Sequence, residues 1–143
     1  MKKDERGQRG KSAEKAVEDI FKRWNEQLGF AWHRFPDARA AMGRLSAQPA
    51  DYLYFSRGGG GFLEVKESKH DYRIAKDKIG QLAVLKKFLH AGADAWILVH
   101  HTTIDRWRIV SAYELSLGQP SWVLTDFPTF ASAEEALLST ECF

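Results

Sequence analysis

Two acidic residues and a lysine near the middle of the chain have the types and spacing that phosphodiester chemistry requires. Glu64 and Lys66 lie in the segment Phe62–Lys66 (FLEVK), whose composition predicts a β-strand. Residues two apart on a strand share a face, so these two side chains project together while their neighbours point into the core. Asp51 begins another predicted strand, Asp51–Phe55, and a hairpin would bring its carboxylate to the same patch.

Two carboxylates and a lysine together suit metal-assisted hydrolysis of a phosphate ester. Carboxylate oxygens are the ligands of a hard divalent cation such as Mg²⁺. A bound cation polarises the phosphate and lowers the pKa of a water molecule. The lysine would balance charge and orient that water. Taken alone, Glu64 and Lys66 are more typical of an ordinary ion pair on an exposed strand, and it is their context that favours the catalytic interpretation.

The elements that must position these residues follow from the apolar pattern. Apolar residues spaced by three and four from Ser12 to Leu28 predict a helix that Gly29 ends. A capping box at Ser132–Glu135 predicts the start of a short final helix. Further elements are predicted as strands at 30–35, 51–55, 62–66, 95–99 and 107–110, and a helix at 76–90. This order predicts an α/β domain with a mixed central β-sheet flanked by helices.

The remaining segments are expected to be irregular. Residues 1–11 are polar and basic and are expected to form a flexible basic arm, which leaves 12–143 as a single domain. Residues 36–49 lack apolar periodicity and are interpreted as an exposed loop. Arg57 and the run Gly58–Gly61 are expected to form a flexible turn between two strands.

Composition excludes several classes of protein. The chain has 143 residues, of which 44% are hydrophobic and 28% charged, as in an ordinary globular domain. The longest apolar run is far below the ~20 residues of a membrane span, and the N-terminus lacks the apolar core of a signal peptide. Cys142 is the only cysteine, so an intramolecular disulfide and a cysteine-based zinc site are excluded. A cytoplasmic location is expected.

Charge is distributed unevenly along the chain. Residues 1–90 hold 19 of the 21 Lys and Arg but 12 of the 19 acids, a net charge of +7, whereas residues 91–143 carry −5. Such asymmetry indicates a basic face that meets a polyanion. An uneven solvated surface, or a module that binds an acidic partner, is the alternative.

The motifs, taken in order, resemble those of a nuclease superfamily. Pro49-Ala-Asp51 followed by Glu64-Val-Lys66 resembles the PD-(D/E)xK signature. The segment 9–14 (RGKSAE) at the start of an amphipathic helix, and 79–82 (IGQL) on the following helix, resemble Holliday-junction resolvases of the RecU and archaeal Hjc types. The resemblance covers roughly residues 6–110. The segment 36–48 is much shorter than the projecting stalk of RecU proteins, which favours the archaeal plan, while the compact size suits a phage or bacterial source.

The resemblance implies a restriction-endonuclease-like fold and roles for individual residues. Asp51 and Glu64 would be ligands of Mg²⁺, with Mn²⁺ as a substitute, and the main-chain carbonyl of Val65 a third ligand. Lys66 would be the catalytic lysine. Two further catalytic residues are implied, namely Glu14 on the first helix and Gln81 on the second. The family acts as a homodimer on four-way DNA junctions and makes paired nicks.

Basic residues that flank these motifs are candidates for phosphate contacts, which supply the sequence-independent part of DNA affinity. They are Arg6, Arg9, Lys11, Arg34, Arg39, Arg44, Lys69, Arg73, Lys76 and Lys78. His100 and His101 are adjacent on a predicted strand and therefore point to opposite faces. They cannot share a metal, and a structural role is expected for both.

The sequence thus predicts a Mg²⁺-dependent, structure-selective DNA endonuclease that resolves Holliday junctions. One alternative is a PD-(D/E)xK nuclease that acts on a flap, a duplex end or a restriction site. Another is a DNA-binding protein that keeps the fold without catalysis, although the presence of all three of Asp51, Glu64 and Lys66 argues against it.

Overall fold

The structure, a computed structural model, describes residues 2–37, 48–75 and 79–143, with the backbone alone described for residues 2–11. The elements in chain order are α1 (Lys2–Asn25), β1 (Phe30–Arg34), β2 (Tyr52–Ser56), β3 (Gly59–Ser68), β4 (Arg73–Ala75), α2 (Leu82–His90), β5 (Asp94–His101), β6 (Arg106–Ser111), a 3₁₀ turn (Ala112–Glu114), β7 (Ser121–Val123) and α3 (Ala133–Leu138).

The central sheet is mixed and has the strand order β1-β2-β3-β5-β6. β3 and β5 are parallel, and the other neighbouring strands are antiparallel. A parallel pair needs a crossover connection, and α2 lies in the connection between β3 and β5. Ala95, Ile97, Leu98 and Val99 of β5 are all buried, as the apolar run predicts for a strand covered on both faces. The predicted α/β fold with a mixed central sheet flanked by helices is confirmed.

The two faces of the sheet carry separate apolar cores. One core joins α1, α3 and the sheet, and Phe21 of α1 is buried at its centre. The Phe21 ring packs edge-on against Tyr52 at 5.8 Å and stacks on Phe143 at 6.1 Å. The other core joins α2 to the opposite face through Leu82 and Leu85. Aromatic packing therefore holds α1 against the sheet, and this fixes where its polar residues emerge.

Helix α1 is longer at its start and shorter at its end than the apolar spacing predicts. It begins at Lys2 instead of Ser12. Residues 2–11 are rich in Lys, Arg, Glu and Gln, which favour helix, and include no proline. Residues 2–11 are helical in backbone where the sequence suggests an irregular arm, and the division into arm and domain stays a prediction. The helix ends at Asn25, so Leu28 lies outside it and is exposed.

The glycine run is strand rather than flexible turn. Only Arg57 and Gly58 turn the chain, with φ angles of 55° and 81° that match the left-handed residues of a tight hairpin. The next three glycines begin β3. A Cβ at Gly60 would overlap the Phe55 ring, and a Cβ at Gly61 would overlap the main chain of Asp94. These glycines let neighbouring strands approach closely, which a pattern of turn-forming residues does not reveal.

The region after β3 also differs from the prediction. Helix α2 begins at Leu82, with Gln81 at its N-cap, so the predicted start at residue 76 is wrong for residues 79–81, and residues 76–78 lie outside the described part. β4 and β7 pair antiparallel as a two-stranded sheet that the sequence did not predict. Each has three residues, which is too short for alternation to show.

Several local predictions are confirmed. The strands at 30–35, 51–55, 62–66, 95–99 and 107–110 are present with small shifts in their ends. Ser132 caps α3, and its hydroxyl accepts a hydrogen bond from the Glu135 N–H. Within the described residues, no helix is both long and apolar enough to cross a bilayer.

Candidate active site

Asp51, Glu64 and Lys66 meet where β2 begins beside the middle of β3. Tyr52, the first residue of β2, pairs with Leu63, so Asp51, which directly precedes β2, comes beside the part of β3 that carries Glu64. Oδ2 of Asp51 accepts a hydrogen bond from the main-chain N–H of Val65 at 2.7 Å. Nζ of Lys66 lies 3.0 Å from Oε1 of Glu64. The hairpin therefore brings the three side chains together, as its sequence pattern predicts.

Alternation along β3 orients these side chains. Leu63 and Val65 are buried in the core that faces α1, while Glu64 and Lys66 share the opposite face. Glu64 is 6% exposed, which is unusual for a carboxylate. An exposed surface ion pair, the alternative considered for this motif, does not describe such a buried site.

The electrostatics of the site reflect burial first and then the charges of two neighbouring carboxylates. Burial, together with the negative charge of Asp51, raises the pKa of Glu64 to about 8. Burial alone would lower the pKa of Lys66, but the charges of Glu64 and Asp51 outweigh it and raise that pKa above its usual value. Lys66 is therefore a cation at neutral pH. A further cation beside Asp51 and Glu64 would favour the ionised form of both carboxyl groups.

Glu14 joins the site from helix α1. Ala13 and Val17 of α1 are buried against the sheet, and this packing places Glu14 at the edge of the contact. Burial and the charge of Asp51 raise the pKa of Glu14, which indicates that the two carboxylates are close enough to interact. The charge and the hydrogen bond of Arg34 act to lower the pKa of Glu14. A third acidic side chain is thus brought near Asp51 from a distant part of the sequence.

The donor set fits the divalent cation that the resemblance implies. Among the described residues, no three His, Cys, Asp or Glu side chains form a cluster that could hold a metal by themselves. Mg²⁺ is usually held by one or two carboxylates, with other oxygens and water completing its shell. Asp51 and Glu64 supply two carboxylates. The N–H and C=O of a strand residue point to the same edge, so the carbonyl of Val65 faces the edge that carries Asp51.

Gln81 lies at the start of α2 rather than within it. Its carbonyl accepts the N–H of Leu85, and its half-buried side chain makes no capping hydrogen bond. α2 covers the face of the sheet that carries Glu64 and Lys66. Gln81 is therefore on the correct face for the predicted role, and that role stays a prediction.

The predicted phosphate contacts are dispersed. Lys69 is exposed just after β3, and Nη2 of Arg73 lies 3.4 Å from Nε2 of His70. Arg34 forms ion pairs with Glu14 and Glu18. The side chains of Arg6, Arg9 and Lys11, and the whole of Arg39, Arg44, Lys76 and Lys78, lie outside the described residues. None of these roles is tested by the structure.

A second buried polar cluster was missed by the sequence patterns. Arg108 is 7% exposed, and its guanidinium donates to the carbonyls of Phe127 and Asp71 and contacts Nε2 of His101. His101 is fully buried with its Nδ1 2.6 Å from the carbonyl of His70, so its predicted structural role is confirmed. An arginine between Trp107 and Ile109, inside the strand Arg106–Ser111, was the available signal.

Comparison with solved structures finds a similar protein, the Holliday junction resolvase Hjc of Archaeoglobus fulgidus, an archaeal hyperthermophile, at 1.6 Å resolution. The match has 20% sequence identity and a TM-score of 0.48, and it covers 87% of this chain and 91% of that chain. No family model and no curated protein sequence matches. The similarity is weak, and the functional proposal rests on the geometry of the site.

Proposed function

We propose that this protein is a metal-dependent DNA endonuclease of the PD-(D/E)xK type that resolves four-way junctions. The observation that carries the proposal is the convergence of buried Asp51, Glu64 and Lys66 at the meeting point of β2 and β3. A mixed sheet flanked by helices agrees with the restriction-endonuclease-like fold expected from the motifs.

The carboxylates of Asp51 and Glu64 and the carbonyl of Val65 would hold Mg²⁺, or Mn²⁺ in its place. A bound Mg²⁺ supplies a Lewis acid that polarises the phosphate and activates a water for attack. The protein contributes the fixed donor geometry. The main-chain N–H of Val65 orients the Asp51 carboxylate, and Lys66 orients that of Glu64. Both carboxylates are thus held in place by residues of one strand.

Lys66 supplies the positive charge at the reacting phosphate. Its ammonium is partly buried and paired with Glu64, and its raised pKa keeps a proton on Nζ. A protonated amine cannot act as a base, so Lys66 would donate a hydrogen bond to the water or to a phosphate oxygen. Burial strengthens that interaction, because water screens it less. Glu14 would act beside Asp51, directly or through a water molecule.

The choice of substrate and the oligomeric state complete the proposal. Four motifs in order at matching separations support a branched DNA substrate, because they resemble those of junction resolvases. Each chain has one candidate site, whereas resolution of a junction needs two nicks on opposed strands. A two-fold homodimer would supply both sites at a fixed separation. The reducing cytoplasm is the proposed location, in keeping with the single Cys142.

The proposal is tested by incubating the protein with an end-labelled four-way junction, a flap and a linear duplex of the same sequence. Cleavage of the junction is expected with Mg²⁺ or Mn²⁺, and binding without cleavage with Ca²⁺, whose looser shell positions the water poorly. Preference for the flap or the duplex would favour another nuclease of this type. Binding with no cleavage in any metal would favour a non-catalytic DNA-binding protein, and full activity in EDTA would exclude the metal mechanism.

The homodimer is tested by sedimentation equilibrium at micromolar protein, in parallel with competition between junction and duplex. A dimer that prefers the junction supports paired nicking. A monomer that prefers linear duplex would contradict junction resolution and favour a general nuclease.

A further inference from the structure

Arg34 is the last residue of strand β1 and forms two ion pairs with helix α1. Nη2 donates to Oε2 of Glu14 at 2.9 Å, and Nη1 donates to Oε2 of Glu18 at 2.9 Å. Glu14 and Glu18 are four residues apart, so they are neighbours on one face of the helix. The two amino groups of one planar guanidinium therefore hold two successive turns of α1.

Further contacts tie the same corner of the molecule to the candidate active site. Arg34 pairs with Tyr52 in the sheet, and its guanidinium carbon lies 5.9 Å from the centre of the Tyr52 ring. The Tyr52 hydroxyl is 3.4 Å from the carbonyl of Glu14. The main-chain N–H of Phe35 donates to the carbonyl of Asp51 at 2.9 Å. The end of β1 thus contacts both the helix that carries Glu14 and the residue Asp51.

Glu14 and Asp51 carry like charges, and their mutual repulsion opposes the close approach of α1 to the start of β2. The positive charge of Arg34, paired with Glu14, offsets this repulsion. A hydrogen-bonded guanidinium also restricts the rotamer of the carboxylate that it binds. Arg34 is 43% exposed at its side chain, so water partly screens the pairs, and their main effect is on geometry rather than on stability.

We propose that Arg34 is a positioning residue that holds the Glu14 carboxylate beside Asp51 for catalysis, and does not serve as a phosphate contact. The inference rests on the proposed nuclease function. Two carboxylates already pair with Nη1 and Nη2 of Arg34 and neutralise the positive charge that would attract a phosphate. Lysine cannot replace this arrangement fully, because a single ammonium lacks the planar fork of the arginine.

The test compares four variants of the full chain in two separate measurements. The variants are Arg34→Ala, Arg34→Lys, Glu18→Gln and, as the control, Arg23→Ala. Arg23 is a cation on α1 about two and a half helical turns from Glu14, and it pairs with Glu134. The first measurement is the single-turnover cleavage rate of a four-way junction at saturating protein. The second is the dissociation constant for the same junction in Ca²⁺, at several salt concentrations.

A positioning role lowers the cleavage rate without weakening binding. For Arg34→Ala the rate should fall about 10- to 100-fold, because small displacements of a reacting group are costly. The cleavage rates of Arg34→Lys and Glu18→Gln should lie between those of Arg34→Ala and the parental protein. The rate of Arg23→Ala should equal the parental rate. All four should keep the parental dissociation constant within about twofold, with an unchanged dependence on salt.

Three outcomes would overturn the inference while leaving the proposed function in place. If Arg34→Ala weakens binding and reduces the slope of affinity against salt, Arg34 contacts a phosphate. If its rate equals that of Arg23→Ala, Arg34 does not position Glu14. If Arg34→Ala fails to fold by circular dichroism, Arg34→Lys and Glu18→Gln decide the matter, and parental rates in both would contradict the proposal. A parental protein that cleaves no DNA would instead overturn the proposed function and this inference with it.

Discussion

Glu64 and Arg108 are buried to nearly the same extent, at 6% and 7% exposed, but their surroundings differ. Around Arg108 the partners are neutral acceptors: the carbonyls of Phe127 and Asp71 and the imidazole of His101. The donors of one buried cation are matched by fixed dipoles, and no like charge opposes it in these contacts. This arrangement is expected of a group that fastens loops to a sheet.

Around Glu64 the nearest groups include another carboxylate as well as a cation. Asp51 directly precedes β2, and burial together with the charge of Asp51 raises the pKa of Glu64 to about 8. Ionisation of Glu64 is therefore opposed by a neighbouring like charge, which the contacts of Arg108 lack. Burial alone does not distinguish the two regions, whereas a neighbouring like charge does, and this difference supports the proposal that the Glu64 region is the functional one.

The largest expected effect is on cleavage in the Glu64 region. Asp51→Asn, Glu64→Gln and Lys66→Ala should each lower the junction-cleavage rate by roughly 10²–10⁴-fold. Each should leave junction binding in Ca²⁺ within about threefold, because phosphate contacts carry most of the affinity. The measurement is single-turnover cleavage beside a binding titration.

Asp105→Asn is the control, since Asp105 is an exposed carboxylate that pairs with His100. Its cleavage rate should equal that of the parental protein. Near-parental rates in all three site variants would show that the site has been assigned to the wrong residues.

The second effect concerns stability in the Arg108 region. Arg108→Met should lower the free energy of unfolding by about 3 kcal/mol, because two buried carbonyls and the His101 ring lose their donor. Urea denaturation measures the change. Arg106→Met is the matched control two residues earlier on β6, where Arg106 is less buried and bonds Thr129. Arg106→Met should lower the free energy of unfolding by about 1 kcal/mol. An equal loss for Arg106→Met and Arg108→Met would contradict the special role given to Arg108.

The third effect concerns the stability lost when the buried Glu64 carboxyl group ionises. A carboxyl whose pKa is raised on folding binds its proton more tightly in the native state, so its burial lowers stability as pH rises from about 4.5 to about 8. Glu64→Gln has no proton to lose. It should stabilise the protein by about 1–3 kcal/mol at pH 8.5 and by little at pH 5.

Urea midpoints of the two proteins at both pH values provide the measurement. Glu114→Gln, the same carboxyl-to-amide change at an exposed position, is the control for the substitution itself. The expectation fails if the stability gained by Glu64→Gln over the parental protein is smaller at pH 8.5 than at pH 5. Ionisation of Glu64 would then not destabilise the fold.

The smallest effect has the opposite dependence on pH. Burial, together with the charge of Arg108, lowers the pKa of His101, while the carbonyl of His70 acts against this shift. The neutral imidazole is therefore the native form, and its stabilising contribution is complete above about pH 6.5 and lost as pH falls below that value. In His101→Gln this loss is absent, so the stability gap between variant and parental protein should narrow from pH 7 to pH 5.5. Parallel urea profiles at these pH values would contradict the assignment.

Much of the site follows from local sequence patterns. Alternation along β3 predicts that Glu64 and Lys66 share a face, and the two strands on either side of the glycines predict the hairpin that adds Asp51. Apolar spacing also predicts the face of α1 that packs on the sheet. These features depend on backbone geometry that repeats every two residues or every 3.6 residues, so neighbouring residues suffice to reveal them.

Where the prediction failed, longer-range contacts decided the outcome. Gly60 and Gly61 belong to a strand because Phe55 and Asp94 approach them closely, and no pattern within the glycine run contains that information. β4 forms because β7, nearly 50 residues later, pairs with it. The start of α2 at Leu82 was likewise missed.

The sequence by itself determined which residues could perform the chemistry and which of them share a strand face, because strand and helix periods are local properties. Only the tertiary structure decided that Glu14 lies near Asp51 and that Arg34 binds Glu14 rather than facing solvent alone. Those contacts depend on the docking of α1 across the sheet, which the packing of Phe21 among distant aromatic rings determines. Such docking sums many weak contacts between residues far apart in the chain, and no single motif encodes it.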